Sequence, residues 1–220
     1  DVIINDFFEN KNTLIKIKHA VIKLSIKNLL AKEKHKFEKI ELNNFEINFD
    51  LKNLKKYKNI FEKKIDLVPV TFVKGKIIFS DGKDYVATID DASINLKLIQ
   101  DSIDAILKGK FLNDNIYINV NSKNVDNKVS TDIILKMSHM NFLTKAKLFN
   151  FEKDKNTTSG NFLIKKDKNK ITAVFDYKDN ELIINKSNLR NTFLDGELEG
   201  KITLLPYFNF NLDLNLNSIN

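Results

Sequence analysis

The segment Phe208-Asn-Phe-Asn-Leu-Asp-Leu-Asn-Leu-Asn217 most constrains what this chain can fold into. Phe208, Phe210, Leu212, Leu214 and Leu216 occupy every second position, with Asn209, Asn211, Asp213, Asn215 and Asn217 between them. Successive side chains of a strand point to opposite faces, so the segment has one apolar face and one wet face. The same alternation recurs along most of the sequence. A chain built this way makes one large apolar surface, and its function turns on what that surface holds.

The alternation changes parity at several places. Ile15 and Ile17 are followed by Ile22, Leu24 and Ile26, which predicts a break near His19-Ala20-Val21. A polar connector over 28–36 follows, with a short helical turn around Leu29-Leu30-Ala31. Ile40 and Leu42 give way to Phe45, Ile47 and Phe49 across an Asn43-Asn44 bend, and Asp90-Asp91 shifts the register again before Ile94. Hairpins are expected at Ser80-Asp81-Gly82-Lys83, Gln100-Asp101-Ser102, Asn113-Asp114-Asn115, 165–169 and Lys178-Asp179-Asn180. With only 6 Gly and 2 Pro, the turns must rely on Asn, Asp and Lys.

One stretch departs from period 2. Leu51, Leu54, Tyr57 and Phe61 fall at helical spacing under a lysine-rich face, with Asp50 as N-cap, which predicts a short amphipathic helix near 51–63. Residues 152–160 are polar and small and read as a flexible joint or hairpin end. The fold class expected is mainly β, with about a dozen short strands at the turn spacing of a sandwich, barrel or extended meander. With 220 residues, 42% of them hydrophobic, it is read as a single β domain over 1–220.

Charge and chemistry narrow the function. Residues 1–64 carry 15 Lys against 9 Asp or Glu, so a net of +6 of the total +7 lies there. Lys55, Lys56, Lys58, Lys63 and Lys64 are the candidates for an anionic membrane surface. Nucleic acid is not expected as a partner, since Arg190 is the one arginine and no aromatic platform accompanies it. The absence of cysteine excludes disulfides and thiolate chemistry. His19, His35 and His139 lack metal-ligand spacing, and no nucleophile elbow or phosphate loop is present. Asp90 and Asp91 would face opposite ways on a strand. No catalytic residue, metal or cofactor is therefore assigned.

Several stretches resemble the AsmA family of Gram-negative envelope proteins, relatives of TamB and of eukaryotic bridge-like lipid-transfer proteins. Ile40-Glu-Leu-Asn-Asn-Phe-Glu-Ile47 is similar to the family's early paired strand. Val73-Lys-Gly-Lys-Ile-Ile-Phe-Ser-Asp81 and Asp90-Asp-Ala-Ser-Ile-Asn-Leu-Lys-Leu98 resemble its next hairpin. Leu194-Asp-Gly-Glu-Leu-Glu-Gly200, with Pro206 and the final alternating strand, resembles the closing repeat. The likeness spans nearly the whole chain. Asn44 stands where family members often carry Pro, and the family's N-terminal membrane helix is missing from this sequence.

The resemblance implies a long curved antiparallel sheet folded like a taco around an apolar groove, along which phospholipid acyl chains slide between inner and outer membranes. It implies a periplasmic protein, anchored in the inner membrane through a segment outside these residues. It also implies an envelope protein as partner at the C-terminal end. The groove candidates are Ile77, Phe79, Ile89, Ile94, Leu96, Leu98, Leu107, Phe111, Ile116, Ile118, Ile133, Leu135, Phe162, Ile164, Phe175, Ile184, Phe208, Phe210, Leu212, Leu214 and Leu216. Two other architectures alternate in the same way. A transmembrane barrel normally carries aromatic girdles, whereas this chain has no Trp and 5 Tyr. A closed β-sandwich, structural or adhesive, would use the same residues as ordinary core and hold no lipid.

Overall fold

The computed structural model of the chain describes residues 2–5, 13–24, 26, 30, 37–53, 67–99, 102–151, 154–203 and 209–219. Nearly all of these residues are strand. In order they are β1 (Val2–Asn5), β2 (Thr13–Lys23), β3 (Lys39–Asp50), β4 (Leu67–Asp81), β5 (Asp84–Ile99), β6 (Ser102–Phe111) and β7 (Asp114–Val125). Then come β8 (Lys128–Met137), β9 (Phe142–Phe151), β10 (Asp154–Lys166), β11 (Asn169–Lys178), β12 (Glu181–Arg190), β13 (Leu194–Thr203) and β14 (Asn209–Ile219). Their order in the sheet is their order in the chain, so the sheet is open, with β1 at one end and β14 at the other. The mainly β class is as expected. By internal contacts the chain divides into two compact units, Asp1–Ile116 and Tyr117–Asn220.

Asn and Asp supply the turns. Asp126-Asn127 and Asp179-Asn180 have positive φ at both positions, as does Leu112-Asn113. That is the type I′ geometry whose twist matches the flanking strands of a two-residue hairpin. Gly82, at φ 66, turns β4 into β5 at the expected Ser80–Lys83 hairpin. The Ser102 hydroxyl closes the next turn by donating to the Ile99 carbonyl at 3.0 Å.

Within Asp1–Ile116, three neighbouring strands each carry one residue in the left-handed region: Asn44 on β3 (φ 53), Lys74 on β4 (φ 56) and Asp91 on β5 (φ 48). These sit at one level of the sheet, since Asn43 pairs with Val73 and Gly75 with Ala92. The kinks absorb the parity changes. Ile89 and Ala92, an odd and an even position, are both buried, at 4% and 0% exposure. The Asn43-Asn44 and Asp90-Asp91 shifts are thus found as expected. The Lys74 kink joins them, and its signal was the change from Val70 and Phe72 to Ile77 and Phe79. The break expected near His19 is not found as a register shift. The β2–β3 register runs unshifted from Ile15↔Ile47 to Lys23↔Lys39, passing over the level of Lys18 and Asn44.

Three further expectations need correction or comment. The sheet is not wholly antiparallel, because β3 and β4 run parallel, from Ile40↔Val70 to Asp50↔Ser80. Parallel neighbours need a long crossover, and the sixteen residues between Asp50 and Leu67 provide it. Of the helix expected near 51–63, the structure shows only a 3-10 turn, Leu51–Asn53, whose Lys52 amide donates to Asp50 Oδ1 at 3.0 Å. The remainder, with Lys55, Lys56, Lys58, Lys63 and Lys64, lies outside the described residues. Residues 154–160 of the expected joint belong to β10, whose pairing with β9 shifts register between Asp154 and Thr158.

On the wet side, Glu46 and Lys76 are register partners of the parallel pair and bridge at 3.0 Å. The Lys76 hydrogen bond holds the Glu46 carboxyl below its ordinary value. Both groups stay largely solvated, so the pair contributes less than about 1 kcal/mol, present at neutral pH and lost as pH falls through the lowered pKa.

Candidate functional site

Register alone gathers most candidate residues onto one face of each unit. In Asp1–Ile116, Ile15, Ile47, Ile77 and Ile89 form one cross-strand row, and Phe49, Phe79 and Ala87 the next. Beyond the kinks, Ala20, Leu42, Phe72, Ile94 and Leu107 form a third row, and Ile22, Ile40, Val70, Leu96 and Ala105 a fourth. Leu98 pairs with Ile103 above them. The two sets meet on one face, because the Phe45 ring packs edge-on against Phe72 with centroids 5.3 Å apart. Gly75 makes room for that ring, since a Cβ on Gly75 would clash with Phe45 Cδ1. Gly109 on β6 does the same for Ile89, whose Cγ2 lies 2.6 Å from where a Cβ would sit. Ile77, Ile89 and Ile116 are buried, whereas Phe79, Ile94, Leu96, Leu98, Leu107, Phe111 and Ile118 are half-buried.

In Tyr117–Asn220 the rows are longer. Leu135, Thr144, Ile164, Ile171, Leu189, Gly196 and Leu216 cross seven strands, as do Thr131, Leu148, Gly160, Phe175, Ile184, Gly200 and Leu212. Between them runs Ile133, Ala146, Phe162, Ala173 and Ser187. Phe162 and Phe175 are in ring contact, with centroids 5.7 Å apart. Burial on this face is uneven. Phe175 and Ile184 are 7% and 3% exposed, while on β14 Phe210 is 63% exposed and Leu214 and Leu216 are each 46% exposed. Leu212 is half-buried, and Phe208 lies outside the described residues. Only strands and turns occur among the described residues of this unit, so no helix among them overlies the face.

Ser187 was not among the residues singled out from the sequence. The β12–β13 ladder opens between Ile184↔Gly200 and Leu189↔Gly196, and the Ser187 side chain fills the gap. Its hydroxyl donates to the Leu198 carbonyl at 2.6 Å and accepts the Leu198 amide at 2.5 Å. One buried side chain thus satisfies both backbone groups that the kink leaves without strand partners. The signal was present as a parity change from Leu182 and Ile184 to Leu189. Ser187→Ala strands a buried N–H and C=O together and is expected to cost about 2 kcal/mol, read by urea denaturation. A loss below about 0.5 kcal/mol would show that water replaces the hydroxyl.

The same unit carries a trough of about 740 Å³, lined by three consecutive residues from each of β8 to β12. It lies on the face opposite the apolar rows. The middle residue of each triplet, such as Ala173 or Ser187, points to the apolar side, where those two are 4% exposed. The neighbours two positions away on that side, such as Leu148 and Ile164, do not line it. Its walls are the rows Asp132, Lys147, Asn161, Val174 and Lys186, and Ile134, Lys145, Leu163, Thr172 and Asn188. Three lysines against one aspartate make it basic.

No helix among the described residues is long and apolar enough to cross a membrane. Comparison with protein-family models, curated proteins and solved structures returned no match. Fold and faces together define the class as an all-β chain of one open sheet with an apolar face in each unit.

Proposed function

We propose that this chain is a lipid-holding module of the bacterial envelope, which keeps acyl chains against the apolar face of its sheet while headgroups stay in water. The observation that carries the reading is the exposure of Phe210, Leu214 and Leu216 on β14, where the row that ends at Leu216 runs in register from Leu135 on β8. Large side chains in register along an outermost strand present a continuous apolar surface rather than scattered hydrophobes. Aliphatic and phenyl side chains offer no hydrogen bonds that would fix a ligand in place, which suits movement along a surface. The resemblance to AsmA proteins supports phospholipid as cargo and the periplasm as the place. It also supports an inner-membrane anchor and an envelope partner at the C-terminal end.

A second reading has its own observation. Ile17, Ile77 and Ile184 are each no more than 3% exposed, as expected of ordinary core in a structural or adhesive β module with no lipid.

Native mass spectrometry of the chain expressed in a bacterial periplasm separates the two. Near-stoichiometric phospholipid is expected on the wild type, and a lipid-free protein would favour the structural module. Leu212→Asp places a charge in a half-exposed position of the outermost strand. It is expected to leave the circular dichroism spectrum unchanged while removing most of the bound lipid. Unchanged lipid occupancy in a folded Leu212→Asp protein would sink the reading.

A further inference from the structure

We infer that the trough on the wet face of Tyr117–Asn220 is a binding site for a single-chain anionic amphiphile, a fatty acid, distinct from the acyl-chain surface on the other side of the sheet. The trough crosses five strands, a length of about 19 Å at the usual strand spacing, and its volume of about 740 Å³ falls within the range of small-molecule sites. Its two walls differ in sequence but converge in charge at one strand. Lys145 and Lys147 lie two residues apart on β9, one on each wall, so their Cα atoms are about 7 Å apart and both ammonium groups can reach one head between them.

Beyond this pair each wall carries one apolar residue, beside Asn161 and Thr172 and before Lys186 and Asn188 at the far end. These are Leu163 on β10 and Val174 on β11, diagonal neighbours on opposite walls, since Leu163 pairs with Thr172 and Val174 with Asn161; Val174 is 49% exposed. A carboxylate held by two lysines with an alkyl tail lying over Leu163 and Val174 matches this order of chemistry along the trough. The floor is the backbone of the middle row, whose amides are already engaged in the sheet, so it adds shape and no competing donor. A rigid sheet also fixes both lysines on a common base, which lowers the ordering cost of closing on the head.

The test is calorimetric titration of the full chain with palmitate. Leu212→Asp serves as the background, in which the apolar face is blocked. About one equivalent of palmitate is expected to bind this background. Lys145→Gln combined with Lys147→Gln should weaken it about tenfold or more, while Lys201→Gln, on the same face outside the trough, should not. Palmitate methyl ester, which lacks the charge, should bind no better than palmitate binds the double variant. Val174→Asp should weaken binding with the lysines intact. Loss of all palmitate binding in Leu212→Asp alone would overturn the trough and leave the proposed function standing. Binding untouched by the double lysine change would overturn it too. Dodecyl phosphate binding in preference to palmitate would replace the carboxylate assignment with a phosphate.

Discussion

Gly200→Ala is expected to detach β14 from the sheet. Gly200 has φ 135, a conformation that residues with a side chain rarely adopt, and a Cβ there would clash with the Asn211 carbonyl oxygen of the neighbouring strand. Both obstacles are backbone, so no rotamer change relieves them. Gly200 pairs with Leu212 at the centre of the β13–β14 ladder, and a single substitution there forces the two strands apart. The expected cost is about 3 kcal/mol or more, concentrated in the last strand. Hydrogen exchange is the direct measurement. Amides of Asn209–Ile219 should exchange much faster in the variant, while those of β8 to β11 keep their protection. If lipid is held along β14, the same variant loses it together with the strand. Unchanged protection of β14 would mean that the sheet accommodates the methyl group by a local shift, and the close approach would then have no energetic weight.

Gly75→Ala is the second large effect, and it falls on the other unit. A Cβ at this position would clash both with the Phe45 ring and with the Phe45 carbonyl oxygen. Phe45 is 3% exposed and locked against Phe72, so it has no free space to retreat into. A loss of about 3 kcal/mol is expected, which for a unit of this size lowers the melting temperature by roughly 10 °C. The control is the double variant with Phe45→Leu. Trimming the ring removes one obstacle and leaves the carbonyl, so the double variant should remain well below Phe45→Leu alone. Full recovery would show that the ring was the sole conflict and that the backbone can yield.

Much of this architecture was legible in the sequence because period 2 is a direct consequence of strand geometry. The alternation located most strands, and parity changes at Asn43-Asn44 and Asp90-Asp91 located two of the three kinks. Direction was not legible. A strand reads the same whichever way its neighbour runs, so the parallel β3–β4 pair appears only in the sixteen-residue connection, long enough for a crossover. The helical spacing of Leu51, Leu54, Tyr57 and Phe61 lies mostly outside the described residues. For the apolar face, sequence named the participants but not their burial. Phe175 and Leu214 belong to the same kind of run, yet one is packed and the other exposed, because exposure depends on which strand is outermost. The trough was invisible for a related reason. It needs residues from five strands brought level by register, and its lysines look like any solvated residues of a wet face when read one strand at a time.

The wiring of the sheet also governs how the chain reaches it. In Tyr117–Asn220 the pairings from β8 to β14 all join sequence neighbours through short connections, so each hairpin can close and recruit the next with little loop entropy to overcome. In Asp1–Ile116 the parallel β3–β4 pair cannot form until the crossover has carried the chain back along its own length. The kinked level at Asn44, Lys74 and Asp91 is then assembled late, and it spans that slow junction. The two halves of one continuous strand order are therefore built on different timescales: one zips locally, and the other waits for a long-range encounter.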